Sequence, residues 1–142
     1  AGDPLADAKA AIQAAQEIKT GLDSLNTQLK TEGAPAMRVR MGIHSGEALV
    51  GSMGSAERIE YAVIGDAVNC ASRLESLEKD LHRDVLRVLL SSTTLELLRP
   101  DFIRTLTLEK WGTIQVKGRE QPLEVSELRM DKARGAAEAN LH

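Results

Sequence analysis

RVRMGIHSGEALVGSMGSAERIEYAVIGDAVNCASRLES, residues Arg38 to Ser76, changes its hydrophobic period twice, and those changes decide the fold. From Met37 onward, Val39, Met41 and Ile43 fall on one side of an alternating pattern and Arg38, Arg40 and His44 on the other, which predicts a half-buried strand. Ser45 and Gly46 bend it, Glu47 to Val50 resumes the extended pattern, and Gly51 and Gly54 predict a turn. Ile59 to Ile64 reads as a second strand, stopped by Gly65. The period then becomes helical: Val68, Ala71, Leu74 and Leu77 step by three after Asp66, a plausible N-cap, and this helix runs to about Lys79.

Upstream, Asp3 and Pro4 open a long amphipathic helix whose apolar positions run from Leu5 to Leu29, before Gly33 and Pro35 stop it. Downstream, Val85 to Leu90 reads as a buried strand, Ser91 to Leu98 as a short capped helix, and Phe102 to Leu108 as another strand. Gly112 to Val116 and Leu123 to Leu128 flank Lys117-Gly118-Arg119-Glu120 and predict a hairpin. The order implies an α+β sandwich, one sheet covered on one face by helices. Residues 1–130 form the domain, and 131–142 form a polar, Ala-rich tail.

With 142 residues, 42% apolar and 27% charged, the chain has the profile of one soluble domain. Phe102, Tyr61 and Trp111 are its only rings, so Leu, Val, Ile, Ala and Met must build the core. A net charge of −3 argues against a general nucleic-acid or anionic-membrane binder. The single Cys70 precludes an internal disulfide and a Cys-rich zinc site, which fits a reducing cytoplasmic setting. No apolar run approaches the ~20 residues of a membrane span, and no signal peptide precedes the first helix.

Asn69 and Arg73 lie four apart on a helix with Ser72 beside them, so their side chains point the same way. A guanidinium offers forked donors to phosphate, while an amide both donates to and accepts from a sugar or base. Arg40 and Lys117 bring the cations to three, a number that suits a triphosphate. Taken singly, the helical pair reads as a solvated face and each cation as ordinary surface charge. The glycines form neither a P-loop nor a dinucleotide-binding fingerprint, so phosphate would have to be held by side chains. His44 reads as a structural hydrogen-bonding residue, Cys70 as buried packing, Trp111 as packing for the hairpin, and Glu57 and Arg58 as solvated.

The same stretch closely resembles the class III adenylyl and guanylyl cyclase catalytic domain. The resemblance is carried by RMGIHSG at Arg40 to Gly46, the Gly51/Gly54 pair, YAVIGDAVNCASR at Tyr61 to Arg73, and VKG at Val116 to Gly118. It implies the ferredoxin-like cyclase fold and conversion of GTP or ATP into the 3′,5′-cyclic monophosphate and pyrophosphate by a homodimer with sites at its interface. By resemblance, Asn69 orients the ribose and purine, Arg73 stabilises charge on the α-phosphate, and Lys117 holds the β- and γ-phosphates with help from Arg119. Arg40 matches the arginine that grips the departing pyrophosphate. Ala62 occupies the base-reading position; with no acceptor for an adenine amino group it leans the substrate towards GTP. The resemblance also implies two Mg²⁺ or Mn²⁺ ions, but neither aspartate motif that holds them occurs here, so the chain reads as the C-terminal two-thirds of such a domain, without its metal-binding strands. The competing expectation is a non-catalytic cyclase-like module that binds nucleotide or dimerises and regulates a larger signalling protein.

Overall fold

The structure, a computed structural model, describes residues 3–46, 49–55, 58–64 and 66–130. The elements run α1 (Pro4–Thr31), β1 (Val39–Ile43), β2 (Leu49–Ser55), β3 (Arg58–Ile64), α2 (Asp66–Ser76), β4 (Leu86–Ser91), α3 (Ser92–Glu96), α4 (Pro100–Ile103), β5 (Thr107–Ile114) and β6 (Leu123–Arg129). The main sheet has the order β1-β4-β6-β5, and β2 and β3 pair as a separate antiparallel ribbon.

β1 and β4 are parallel, so the chain must cross over between them, and α2 supplies the crossover. β4 lies between β1 and β6, and all six of its residues are buried. Leu86, Val88 and Leu90 pack with Ala8, Ile12, Ala15 and Leu22 of α1. Leu89 faces the other way and joins Cys70, Leu74, Leu77, Val116, Leu123 and Val125 in a second cluster. The sheet is therefore covered by helices on both faces, not on one as its sequence pattern suggests. A continuous apolar run such as Leu86 to Leu90 is the mark of a strand buried on two sides.

Local chemistry explains the ends of α1. Asp3 Oδ1 accepts from the Leu5 amide at 3.1 Å, Pro4 stands at the first turn, and Gly33 leaves the helix at φ +74°. Elsewhere the boundaries differ from expectation. β2 continues through Gly51 and Gly54, whose backbones pair with Ala62 and Ile59, so the expected turn there is strand. The buried face of α2 is Ala67, Cys70 and Leu74 instead of Val68 and Ala71, and Asp66 is its first helical residue. Phe102 and Ile103 belong to α4, because Pro100 starts a helical turn that the apolar spacing alone did not separate from a strand. β5 consequently begins at Thr107 and carries a bulge at Trp111, where the register shifts between Lys110 and Gly112. The bulge directs Trp111 Nε1 to the buried Glu127 carboxylate at 3.1 Å, which bears out the packing expected of this ring. Glu57 and the tail 131–142 lie outside the described residues.

Arg87 is the one fully buried arginine among the described residues, and it closes α2 from below. Its Nη1 donates to the carbonyls of Glu78 at 2.7 Å and Leu81 at 3.2 Å, its Nη2 donates to that of Glu75 at 3.0 Å, and its guanidinium lies 5.3 Å from the Trp111 ring. A cation at the carboxyl end of a helix meets carbonyls that have no partner within it. Arg87→Met keeps the volume; the Glu75 and Glu78 carbonyls retain the Arg40 Nε and Leu81 amide donors, but the Leu81 carbonyl loses the guanidinium, and the change is expected to cost about 2 kcal/mol in urea unfolding. Arg87→Lys recovers only part of it, since an ammonium cannot span three acceptors as the planar fork does. A loss under about 1 kcal/mol for Arg87→Met would show that water satisfies the Leu81 carbonyl.

Candidate functional site

Asn69 and Arg73 stand on the exposed side of α2, opposite Cys70 and Leu74. Lys117 comes from the β5–β6 connection. Val116 is buried in the second core cluster and anchors that connection, while the Arg119 amide donates to the Val116 carbonyl at 3.0 Å and Gly118 adopts φ +89°. This is a tight turn with Lys117 at its first corner and glycine where a left-handed residue is required. The turn faces α2, and Asn69, Ser72, Arg73, Ser76, Val116 and Lys117 line one open groove of about 560 Å³.

Among the described residues, the groove's ionisable lining consists of Arg73 and Lys117. Two cations and an amide on opposite walls suit a phosphorylated ligand: guanidinium and ammonium meet phosphate oxygens, and the amide meets hydroxyl or ring nitrogen. Among the described residues no carboxylate lines the groove, so these residues do not fit Mg²⁺ or Mn²⁺, which take hard oxygen donors.

Two sequence candidates stand outside this groove. Arg40 is occupied by Glu75, its Nε donating to the Glu75 carbonyl and Oε1 at 3.2 Å each and its Nη2 lying 3.1 Å from Oε1. Arg119 points back to the start of α2, where its Nη1 donates to Asp66 Oδ2 at 2.9 Å. The side chains of this pair are 27% and 52% exposed, so it contributes at most about 1 kcal/mol to stability, yet it joins the Lys117 turn to the helix bearing Asn69 and Arg73. Ala62 is placed by its backbone alone, opposite Gly51 on the β2–β3 ribbon.

Sequence reading missed Glu75 and Asp66 as the partners of these arginines. The only available signal was their acidity, because Glu75 is 35 residues from Arg40 and Asp66 is 53 from Arg119 along the chain. His44 behaves as expected, with Nδ1 2.7 Å from Ser91 Oγ. Burial lowers its pKa, with the nearby Arg119 charge acting in the same direction. Burial pushes the Cys70 thiol up, and Asp66 adds to that shift.

Residues 4–127 match the adenylate and guanylate cyclase catalytic domain family, and the chain belongs to that family. It is 37% identical over 128 residues to adenylate cyclase 1 of Rhizobium meliloti, an alignment covering 88% of this chain and 18% of that protein. Its structure resembles the adenylyl cyclase CyaB from P. aeruginosa with a TM-score of 0.73 at 27% identity, covering 93% of this chain and 63% of that one. The guanylyl cyclase Cya2 superposes with a TM-score of 0.65 at 30% identity, covering 86% and 57%. The chain thus spans less than two thirds of each. The mixed α+β fold is that of the class III cyclases, and no helix among the described residues is long and apolar enough to cross a membrane.

Proposed function

We propose that this chain supplies the nucleotide-binding groove of a purine nucleotide cyclase, which works as a homodimer and releases the 3′,5′-cyclic monophosphate and pyrophosphate. One observation carries the reading: the turn between β5 and β6 brings Lys117 to the same groove as Asn69 and Arg73. Arg73 meets the α-phosphate, where negative charge grows as the 3′-hydroxyl attacks, and a donor fixed on a helix stabilises that charge without reorganising. Lys117 holds the β- and γ-phosphates, and Asn69 orients the ribose and purine. Arg40, assigned to the leaving pyrophosphate, lies apart from the groove against Glu75, so its part in the reaction requires a site assembled from two chains. Arg119 serves the groove through the turn it fastens rather than by contact with the nucleotide. Of the two purines, Ala62 favours GTP, because it offers no acceptor to the adenine amino group.

The test is cyclic nucleotide formation from ATP and from GTP, measured side by side with Mn²⁺ on the full-length protein. Product is expected from both, faster from GTP, and sedimentation is expected to show a dimer. Faster turnover of ATP would reverse the reading of Ala62. No product from either nucleotide by a folded dimer would overturn the enzyme and leave a regulatory module.

A further inference from the structure

Beneath the Arg119–Asp66 ion pair lies a group of ligand atoms that the nucleotide groove does not use. One nitrogen of His44, one carboxylate oxygen of Asp66 and Cys70 Sγ all lie within 4.8 Å of one another. Asp66 and Cys70 are four residues apart on α2 and so project from one face, and Cys70 Sγ lies 3.9 Å from each Asp66 oxygen. His44 enters from the end of β1. Its Nδ1 is engaged by Ser91 Oγ at 2.7 Å, which holds the ring and leaves Nε2 as the ligand. Gly46 lies beside that nitrogen: a Cβ there would make ordinary contact with His44 Nε2 at 3.6 Å but crowd the Ala67 Cβ at 3.1 Å. Gly46 does not adopt a left-handed conformation, so space and not backbone freedom explains a glycine at this position.

We propose that His44, Asp66 and Cys70 form a binding site for a borderline-soft divalent ion of the zinc type. One imidazole nitrogen, one thiolate and one carboxylate are three of the four donors that Zn²⁺ takes, with water as the fourth, and the mixture disfavours Mg²⁺. To bind, the donors close from within 4.8 Å to roughly 3.5 Å of one another, the spacing that zinc–ligand bonds impose. The Cys70 thiol releases its proton to solvent as the metal–sulfur bond forms, and the ion replaces the Arg119 guanidinium as the cation beside Asp66. One cation is exchanged for another, so the ion need only displace a partly exposed pair. Occupancy therefore frees the Arg119 side chain and removes one tie between α2 and the turn that presents Lys117, while buried Val116 keeps that turn in place.

Binding is tested on this chain alone with Co²⁺ as a spectroscopic stand-in for zinc. The wild-type chain is expected to take up one Co²⁺ and show thiolate-to-cobalt charge-transfer absorption that Zn²⁺ abolishes. Cys70 is the only cysteine, so this absorption must vanish in Cys70→Ser. His44→Ala is expected to weaken Co²⁺ binding at least about tenfold. Arg119→Ala removes the competing cation from a partly exposed position outside the two core clusters, and is expected to tighten binding severalfold. Absence of the charge-transfer band in the folded wild-type chain at saturating Co²⁺ would overturn the proposal, as would affinity unchanged by His44→Ala or weakened by Arg119→Ala. None of these readouts requires turnover, so the metal site can fail while the cyclase reading stands, and the reverse.

Discussion

Arg73→Ala in the full-length protein is expected to lower cyclic nucleotide turnover by about 10²- to 10³-fold, the cost of removing one preorganised donor from developing negative charge. The effect should fall on kcat more than on KM, because the α-phosphate gains charge only as the bond to pyrophosphate breaks. Folding should be spared. Arg73 is exposed, and among the described residues its guanidinium has no ion-pair or hydrogen-bonding partner, so its removal leaves nothing buried unsatisfied. Asn69→Ala, which deletes a neutral contact from the same wall, is expected to cost about tenfold. Turnover, dimer content and thermal midpoint measured together decide the matter: a loss of activity in proportion to loss of dimer would make these residues structural.

Gly42→Ala is expected to be the most damaging single methyl addition. Gly42 sits on β1 under α2, and a Cβ there would stand 2.3 Å from the Ala71 carbonyl oxygen, 2.6 Å from the Glu75 amide nitrogen and 2.9 Å from the Leu74 Cβ. Two of these atoms are backbone and the third is fixed to it, so no side chain can rotate away. The helix must lift from the strand, which would open the cluster of Cys70, Leu74 and Leu89 and withdraw the Glu75 carbonyl that Arg40 and Arg87 share. Overpacking of this kind costs about 3 kcal/mol or more. Gly21→Ala is the internal comparison: it lies within α1 with nothing inside 4 Å of the added atom, and should stabilise by up to about 1 kcal/mol. Urea midpoints read both, and a Gly42→Ala variant within about 0.5 kcal/mol of wild type would mean that α2 is not seated on β1 as described.

The sequence reading and the structure agree where the determinants are local. Asp3 and Pro4 open α1 and Gly33 ends it, as capping chemistry dictates, and Ser91 caps α3 by accepting from the Thr94 amide. They part where two periods fit the same residues. Phe102, Ile103 and Leu106 satisfy a strand or a short helical turn equally, and Pro100 settled the matter by position. Glycines at 51 and 54 signal a turn in isolation, but pairing across β2 and β3 absorbs them into strand.

By its sequence alone this protein is an α+β chain with a long first helix, and Asn69 and Arg73 share a helix face because a 3.6-residue period places positions four apart together. That Lys117 also meets this face, that Arg40 belongs to Glu75 and Arg119 to Asp66, and that helices cover both faces of the sheet were decided only by the tertiary structure. The reason is distance along the chain. A helix period reaches four residues, whereas joining Arg119 to Asp66 spans 53, and that contact exists only after β5 and β6 have paired and Val116 has been buried beside α2.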